Sequence, residues 1–248
     1  MSTVHETGHA KNVANFETLI SFVTGYGATY NPSNTAIQLV NLQSKAVDAK
    51  TAIDNVNTLL AGYSNAITTR QIAFEPMGQL STRLLNALKA TSASQPIIES
   101  AATNHRKLQG RRASAKLTEE EKQTLTATGK EVNQISSSQL SFDSQLDTFD
   151  KQIKLLTSIP AYAPNEVELQ VSSLTALYND LLQKNRGAIN EASALSSGRI
   201  NRDEVFYNAE TGMNTVALDA KNYAKSLFGV GAAQYKQISG LTFKKVKI

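Results

Sequence analysis

Between Asn12 and Gly25 the apolar side chains Val13, Phe16, Leu19, Ile20 and Val23 recur at spacings of three and four. That period predicts a helix with one apolar face. Gly25 and Gly27 end it. A much longer pattern follows, through Leu39, Leu42, Ala46, Ala49, Ile53, Val56, Leu60, Tyr63, Ile67, Arg70 and Phe74. It reads as a heptad seam on a helix of about 60 Å, opened by Asn31 as N-cap and Pro32 as first residue. Pro76 and Gly78 break it, and shorter helices are expected over Met77 to Ala90 and Pro96 to Gln109.

Thr118 and Glu121 have the form of a capping box. They predict a second long helix to about Ser158, with Val132, Ile135, Gln139, Phe142, Leu146, Phe149, Ile153 and Leu156 inward. A third long helix starts at Pro164 or Asn165. It carries Val167, Val171, Leu174, Tyr178, Leu181, Ala188, Ala192 and Leu195 and ends between Asn208 and Gly212. A short helix over Met213 to Phe228 and a turn near Gln234 to Ile238 complete the chain.

The pattern occurs twice. At an offset of 132, Tyr30 matches Tyr162, Pro32 matches Pro164, Leu42 matches Leu174, Arg70 matches Arg202 and Phe74 matches Phe206. Phe16, Ile20 and Val23 match Phe149, Ile153 and Leu156 at an offset of 133. A repeat of this kind fixes architecture before any chemistry is considered. The expected fold is all-α: an elongated antiparallel helical bundle built from a tandem duplication of a long-helix hairpin unit. Residues 1–117 form the first repeat and 118–248 the second, packed as one domain. Arg70 and Arg202 each occupy a seam position, where a charge needs a partner or a route to water. One reading lets the guanidinium reach solvent past the helix end. The other makes a paired polar layer of the two.

Composition narrows the function classes. With 41% apolar residues, 6% aromatic and no Trp, the core is one of small and aliphatic side chains. The absence of Cys removes disulfides and thiolate chemistry. No apolar run reaches the length of a membrane span, and the polar start of the chain lacks the apolar core of a signal peptide. A cytoplasmic location is the expectation.

His5-Glu6-Thr7-Gly8-His9 is an H-E-x-x-H pattern, in which two His one turn apart bind zinc and the Glu activates water. Its context is that of a chain terminus expected to fray, with no preceding strand. A zinc hydrolase is therefore the remote alternative, and no cofactor is expected. Asp143, Asp147 and Asp150 share a helical spacing, but Asp147 and Asp150 precede Lys151 and Lys154 by four residues, as surface ion pairs do.

Net charge is +4, and its distribution matters more than its size. Arg106, Lys107, Arg111, Arg112 and Lys116 form one acid-free stretch, and Lys244, Lys245 and Lys247 another. Lys107 to Arg112 has a counterpart in Gln237 to Thr242 at an offset of 130, which matches Gly110 with Gly240. These two basic loops could hold the phosphates of a polyanion. With no nucleophile motif, P-loop or dinucleotide fingerprint, the leading expectation is a non-enzymatic scaffold or assembly protein. Its partner would be protein, through self-association or a helical partner, with nucleic acid or another polyanion as the alternative.

The segments Asn15 to Gly27 and Gly129 to Gln139 resemble stretches of an uncharacterised family of bacterial helical proteins. The similarity covers most of the chain. The resemblance implies a bacterial cytoplasmic setting and no residue role.

Overall fold

In the computed structural model, residues 8–111, 118–127 and 140–246 are described. Every regular element among them is helical. The α-helices are α1 (His9–Gly25), α2 (Leu39–Phe74), α3 (Met77–Lys89), α4 (Gln95–Leu108), α5 (Glu119–Ala127), α6 (Phe142–Thr157), α7 (Val171–Tyr207), α8 (Met213–Phe228) and α9 (Ala233–Ser239). No helix among the described residues is long and apolar enough to cross a membrane.

The chain forms two compact units. Unit 1 takes residues up to Ser64 and from Glu191 onward, and unit 2 is the continuous stretch Asn65–Asn190. The boundaries fall inside α2 and α7. The reason lies in the length of those helices. Each has apolar residues enough at both ends to join a core, and the two ends join different cores.

The unit 1 cluster gathers Phe16, Leu19 and Val23 of α1, Leu42, Ala46 and Ala49 of α2, Phe206 of α7, and Val216, Ala217 and Ala220 of α8. In the unit 2 cluster, Phe74 of α2, Leu84 and Leu88 of α3 and Leu108 of α4 meet Phe149 and Leu156 of α6 and Leu174 and Leu181 of α7. Hydrophobic burial of this kind supplies most of the stability of each unit.

The entries to α2 and α7 correct the expected helix start. Neither begins at its Pro. Tyr30 Oη donates to the Ile37 carbonyl at 3.0 Å, and Gln38 Nε2 lies 3.5 Å from the Pro32 carbonyl. At the second turn Tyr162 Oη donates to Leu169 O at 3.0 Å, with Gln170 Nε2 3.4 Å from Pro164 O. A single 3-10 turn, Thr35–Ile37 or Val167–Leu169, precedes each helix. Asn34, not Asn31, does the capping, accepting from the Ala36 N–H at 3.0 Å. The tyrosine ties the loop shut, so the α-helix waits until Leu39 or Val171.

The expected 118–158 helix appears as α5 and α6. Its stretch 128–139, with Val132, Ile135 and Gln139, lies outside the described residues, as does the Glu121 side chain of the capping box. In α2 no residue between Val56 and Phe74 is buried, and Leu60 is 42% exposed. In α7 the seam takes in Asn185, which a purely apolar count passes over, and leaves Ala192 exposed. Within unit 1, a Cβ on Gly198 of α7 would stand 2.5 Å from Leu59 Cδ1 of α2. The glycine permits that close approach.

Candidate functional site

Of the H-E-x-x-H pattern, His5 and Glu6 lie outside the described residues. His9 does not fray. It opens α1 and is largely buried against α7, with its ring edge-on to Phe206 at 5.1 Å and tilted to Tyr207 at 5.7 Å. Its Nε2 makes no hydrogen bond among the described residues and lies 3.5 Å from Asp203 Oδ1. Arg202 holds that same oxygen through Nε at 3.0 Å and Nη2 at 2.7 Å. Burial pushes the His9 imidazole below its ordinary 6.5, and the Arg202 cation adds to this, while Asp203 opposes. The arrangement disfavours a charged imidazole. No group of three His, Cys, Asp or Glu residues placed to hold a metal ion occurs among the described residues.

Arg202 therefore has a local partner in Asp203. Arg70 finds a different one within unit 2. Its guanidinium lies over the Phe142 ring at 4.1 Å, a cation–π contact, and Phe142 in turn meets Phe74 at 4.9 Å. Nη1 donates to Asn185 Oδ1 at 3.1 Å, and Asn185 Nδ2 passes the chain on to Asp143 Oδ1 at 2.7 Å. Each seam arginine thus builds a polar layer with neighbours in its own unit. Asp147 and Asp150 pair with Lys151 and Lys154, both at 2.6 Å, as their spacing predicts.

The remaining histidine meets a serine. His105 Nδ1 lies 3.1 Å from Ser81 Oγ. The Ser81 hydroxyl has one proton, given to the Gly78 carbonyl at 2.8 Å. In the contact with His105 the imidazole N–H is then the donor. That is the reverse of what an activated nucleophile needs, and Ser81 is buried. Gln109 Nε2 completes the seam between α3 and α4, donating to Gly78 O at 3.0 Å and Thr82 Oγ1 at 2.8 Å.

The basic loops fall in different units. Arg106, Lys107 and Arg111 belong to unit 2, Lys244 and Lys245 to unit 1. Arg112, Lys116 and Lys247 lie outside the described residues. Around Gly110 the backbone explains the charge. The Arg111 N–H bonds to Arg106 O at 2.9 Å and the Gly110 N–H to Lys107 O at 3.0 Å, with Gly110 at φ 63. This is a Schellman motif, for which glycine is the natural residue, and cations in the last turn suit the helix dipole. Gly240 has φ −77 and no such pair of bonds. Lys245 Nζ lies 5.7 Å from the centre of the Tyr207 ring.

Unit 2 also has an open groove of about 490 Å³ beside the second tyrosine turn, lined by Arg83, Asn86, Thr91, Tyr162, Pro164 and Asn165. Arg83 is held there by Glu168 at 2.7 Å. Burial, with Glu166 nearby, pushes the Tyr162 hydroxyl up to about 12. It stays protonated, as its bond to Leu169 O requires. Sequence reasoning missed Asn185, Asp203, Ser81 and Gln38. The last has a legible signal in Tyr-x-Pro-x4-Ile/Leu-Gln, which occurs at Tyr30 to Gln38 and again at Tyr162 to Gln170.

Comparison of the chain with known protein families, curated proteins and solved structures finds no match.

Proposed function

We propose that this chain is a non-enzymatic helical scaffold or assembly protein that works through protein contacts, in a bacterial cytoplasm. The observation that carries this reading is the use made of the buried polar groups. Tyr30 and Tyr162 close the turns ahead of α2 and α7, Asn185 joins α7 to α2 and α6, and Ser81 meets His105 of α4. Such groups fix the frame, and what the frame offers outward is helix surface. Val40 and Val47 of α2 and Ile200 of α7 are more than half exposed.

The reading includes a tandem duplication of a long-helix hairpin, packed antiparallel. Its support is the pair of tyrosine turns, alike in their tyrosine and glutamine hydrogen bonds, and the matched burial of Leu42 with Leu174 and Phe74 with Phe206. Further support comes from the order of contacts in unit 1, where Gly62 faces Glu191 and Asn55 faces Gly198. Light scattering across a hundredfold range of concentration tests the assembly role, with a defined oligomer expected. A chain that stays monomeric up to its solubility limit overturns the self-association form of the proposal.

A further inference from the structure

The segment that follows α9 is not helical, yet the protein grips it along its length. Leu241 and Phe243 pack against the unit 1 cluster while Thr242 and Lys244 are exposed. Alternation of this kind is the period of an extended strand. Asn12, buried on α1, reads both backbone groups of Lys244. Its Nδ2 donates to the carbonyl at 2.7 Å and its Oδ1 accepts from the N–H at 3.2 Å. Asn15 Nδ2, nearly a turn further on, donates to Thr242 O at 2.8 Å. The Tyr207 hydroxyl accepts from the Val246 N–H at 3.2 Å. From α8, Lys221 Nζ donates to the carbonyls of Ser239 at 3.0 Å and Leu241 at 2.6 Å. Phe243 meets Phe16 edge-on at 6.3 Å.

All of these hydrogen bonds go to main-chain atoms, and all but the one to Ser239 at the end of α9 go to the strap. Side chains that bond to backbone hold any extended segment set in that place, and a pocket for alternate side chains supplies the selection. Here the selecting positions are Leu241 and Phe243. Gly240 stands between α9 and the strap with nothing crowding it. We propose that this surface of α1, α7 and α8 is a recognition groove for an extended peptide. Its occupant in trans is the same segment, Leu241–Val246, of a second copy of the chain. The strap then acts as an exchangeable arm, and when closed on its own molecule it competes with the arm of another. This inference rests on the self-association reading and gives it a contact. The second copy is the fitting occupant because the seated strap already matches the groove in register, aromatic position and backbone bonds.

The test uses full-length chains and the labelled peptide Leu-Thr-Phe-Lys-Lys-Val as probe. Lys244→Pro removes the N–H that Asn12 accepts and so frees the groove without touching the core. Phe243→Ala is a second way to free it. Apparent affinity scales with the fraction of grooves that are open. The peptide is therefore expected to bind either variant at least about tenfold more tightly than the parent, and Asn12→Ala in the same background should abolish the gain. Light scattering should show the parent's oligomer lost in Lys244→Pro. Equal peptide binding by parent and variants, or binding indifferent to Asn12, overturns the groove. An oligomer that persists in Lys244→Pro, with no peptide bound, overturns the groove and leaves the assembly reading standing. A parent that is monomeric throughout overturns both.

Discussion

Arg70 and Arg202 stand at matched places in α2 and α7, each four residues before a buried phenylalanine, and their surroundings differ in chemistry. Arg70 lies on the ring of Phe142 and reaches Asn185, which is 2% exposed. Arg202 has His9 where Arg70 has Phe142, since His9 stands 133 residues before Phe142 as Phe16 does before Phe149. Its charge goes to Asp203, which has 28% of its side chain exposed. One layer reaches a carboxylate, Asp143, through a neutral buried amide. The other pairs the guanidinium directly with a carboxylate. A shared helical frame thus tolerates two solutions to a cation in a seam, provided each supplies a partner within reach.

The comparison can be broken first at the cores. Phe16 and Phe149 are both fully buried. Truncation of either to Ala should cost about 3–5 kcal/mol, as for other buried phenylalanines. Amide hydrogen exchange resolved by unit should show the loss of protection confined mainly to the unit that holds the mutation. Equal loss in both units would show that the two cores open together.

The arginines come next. Arg70→Ala leaves Asn185 Oδ1 buried without its donor and should cost about 1–3 kcal/mol. Arg202→Ala leaves Asp203 in contact with water and should cost less, under about 1 kcal/mol. Denaturant titration of the two variants side by side decides it, and a larger loss for Arg202 would show that the direct ion pair outweighs the amide-bridged contact.

The tyrosine turns should behave alike. Tyr30→Phe and Tyr162→Phe each remove one hydroxyl-to-carbonyl bond and should each cost about 0.5–1.5 kcal/mol. A twofold difference in midpoint shift would show that likeness in geometry hides unlike energetics.

The smallest effect is expected from acid. Burial lowers His9 and His105 below 6.5, helped by Arg202 at the first and by Arg111 and Lys89 at the second. The unfolded chain then takes up protons more readily than the folded one. The stability involved is complete above about pH 6.5 and is lost as pH falls through the lower folded values. His9→Phe should flatten this slope in unit 1 and leave that of unit 2 in place. Hydrogen exchange between pH 7.5 and 5 measures both.

The all-helical class was legible because apolar residues recur at three and four over long stretches, and the bounds of α3, α4 and α8 fell within a residue or so of expectation. Helix starts were less legible. Pro32 and Pro164 suit a first helical turn, and nothing in local propensity says that a tyrosine hydroxyl will close the loop ahead of it. The division into units was hidden for a different reason. Periodicity describes one helix at a time, and a seam continuous in sequence need not face a single core. The polar contacts of His9 were hidden too, since a residue near a terminus gains its burial only from α7, some two hundred residues further along.

The discontinuity of unit 1 has a consequence for how the protein comes into being. Much of what α1 and the first half of α2 pack against to bury Phe16, Leu19 and Leu42 lies after residue 190, in the end of α7 and in α8. At roughly 5–20 residues per second, synthesis of Asn65–Asn190 takes on the order of ten seconds. Unit 2 has its whole sequence by then and can close as it emerges. The apolar face of α1 stays without its α7 and α8 partners until those helices have been made, so a segment made early closes its core well after unit 2 has its whole sequence.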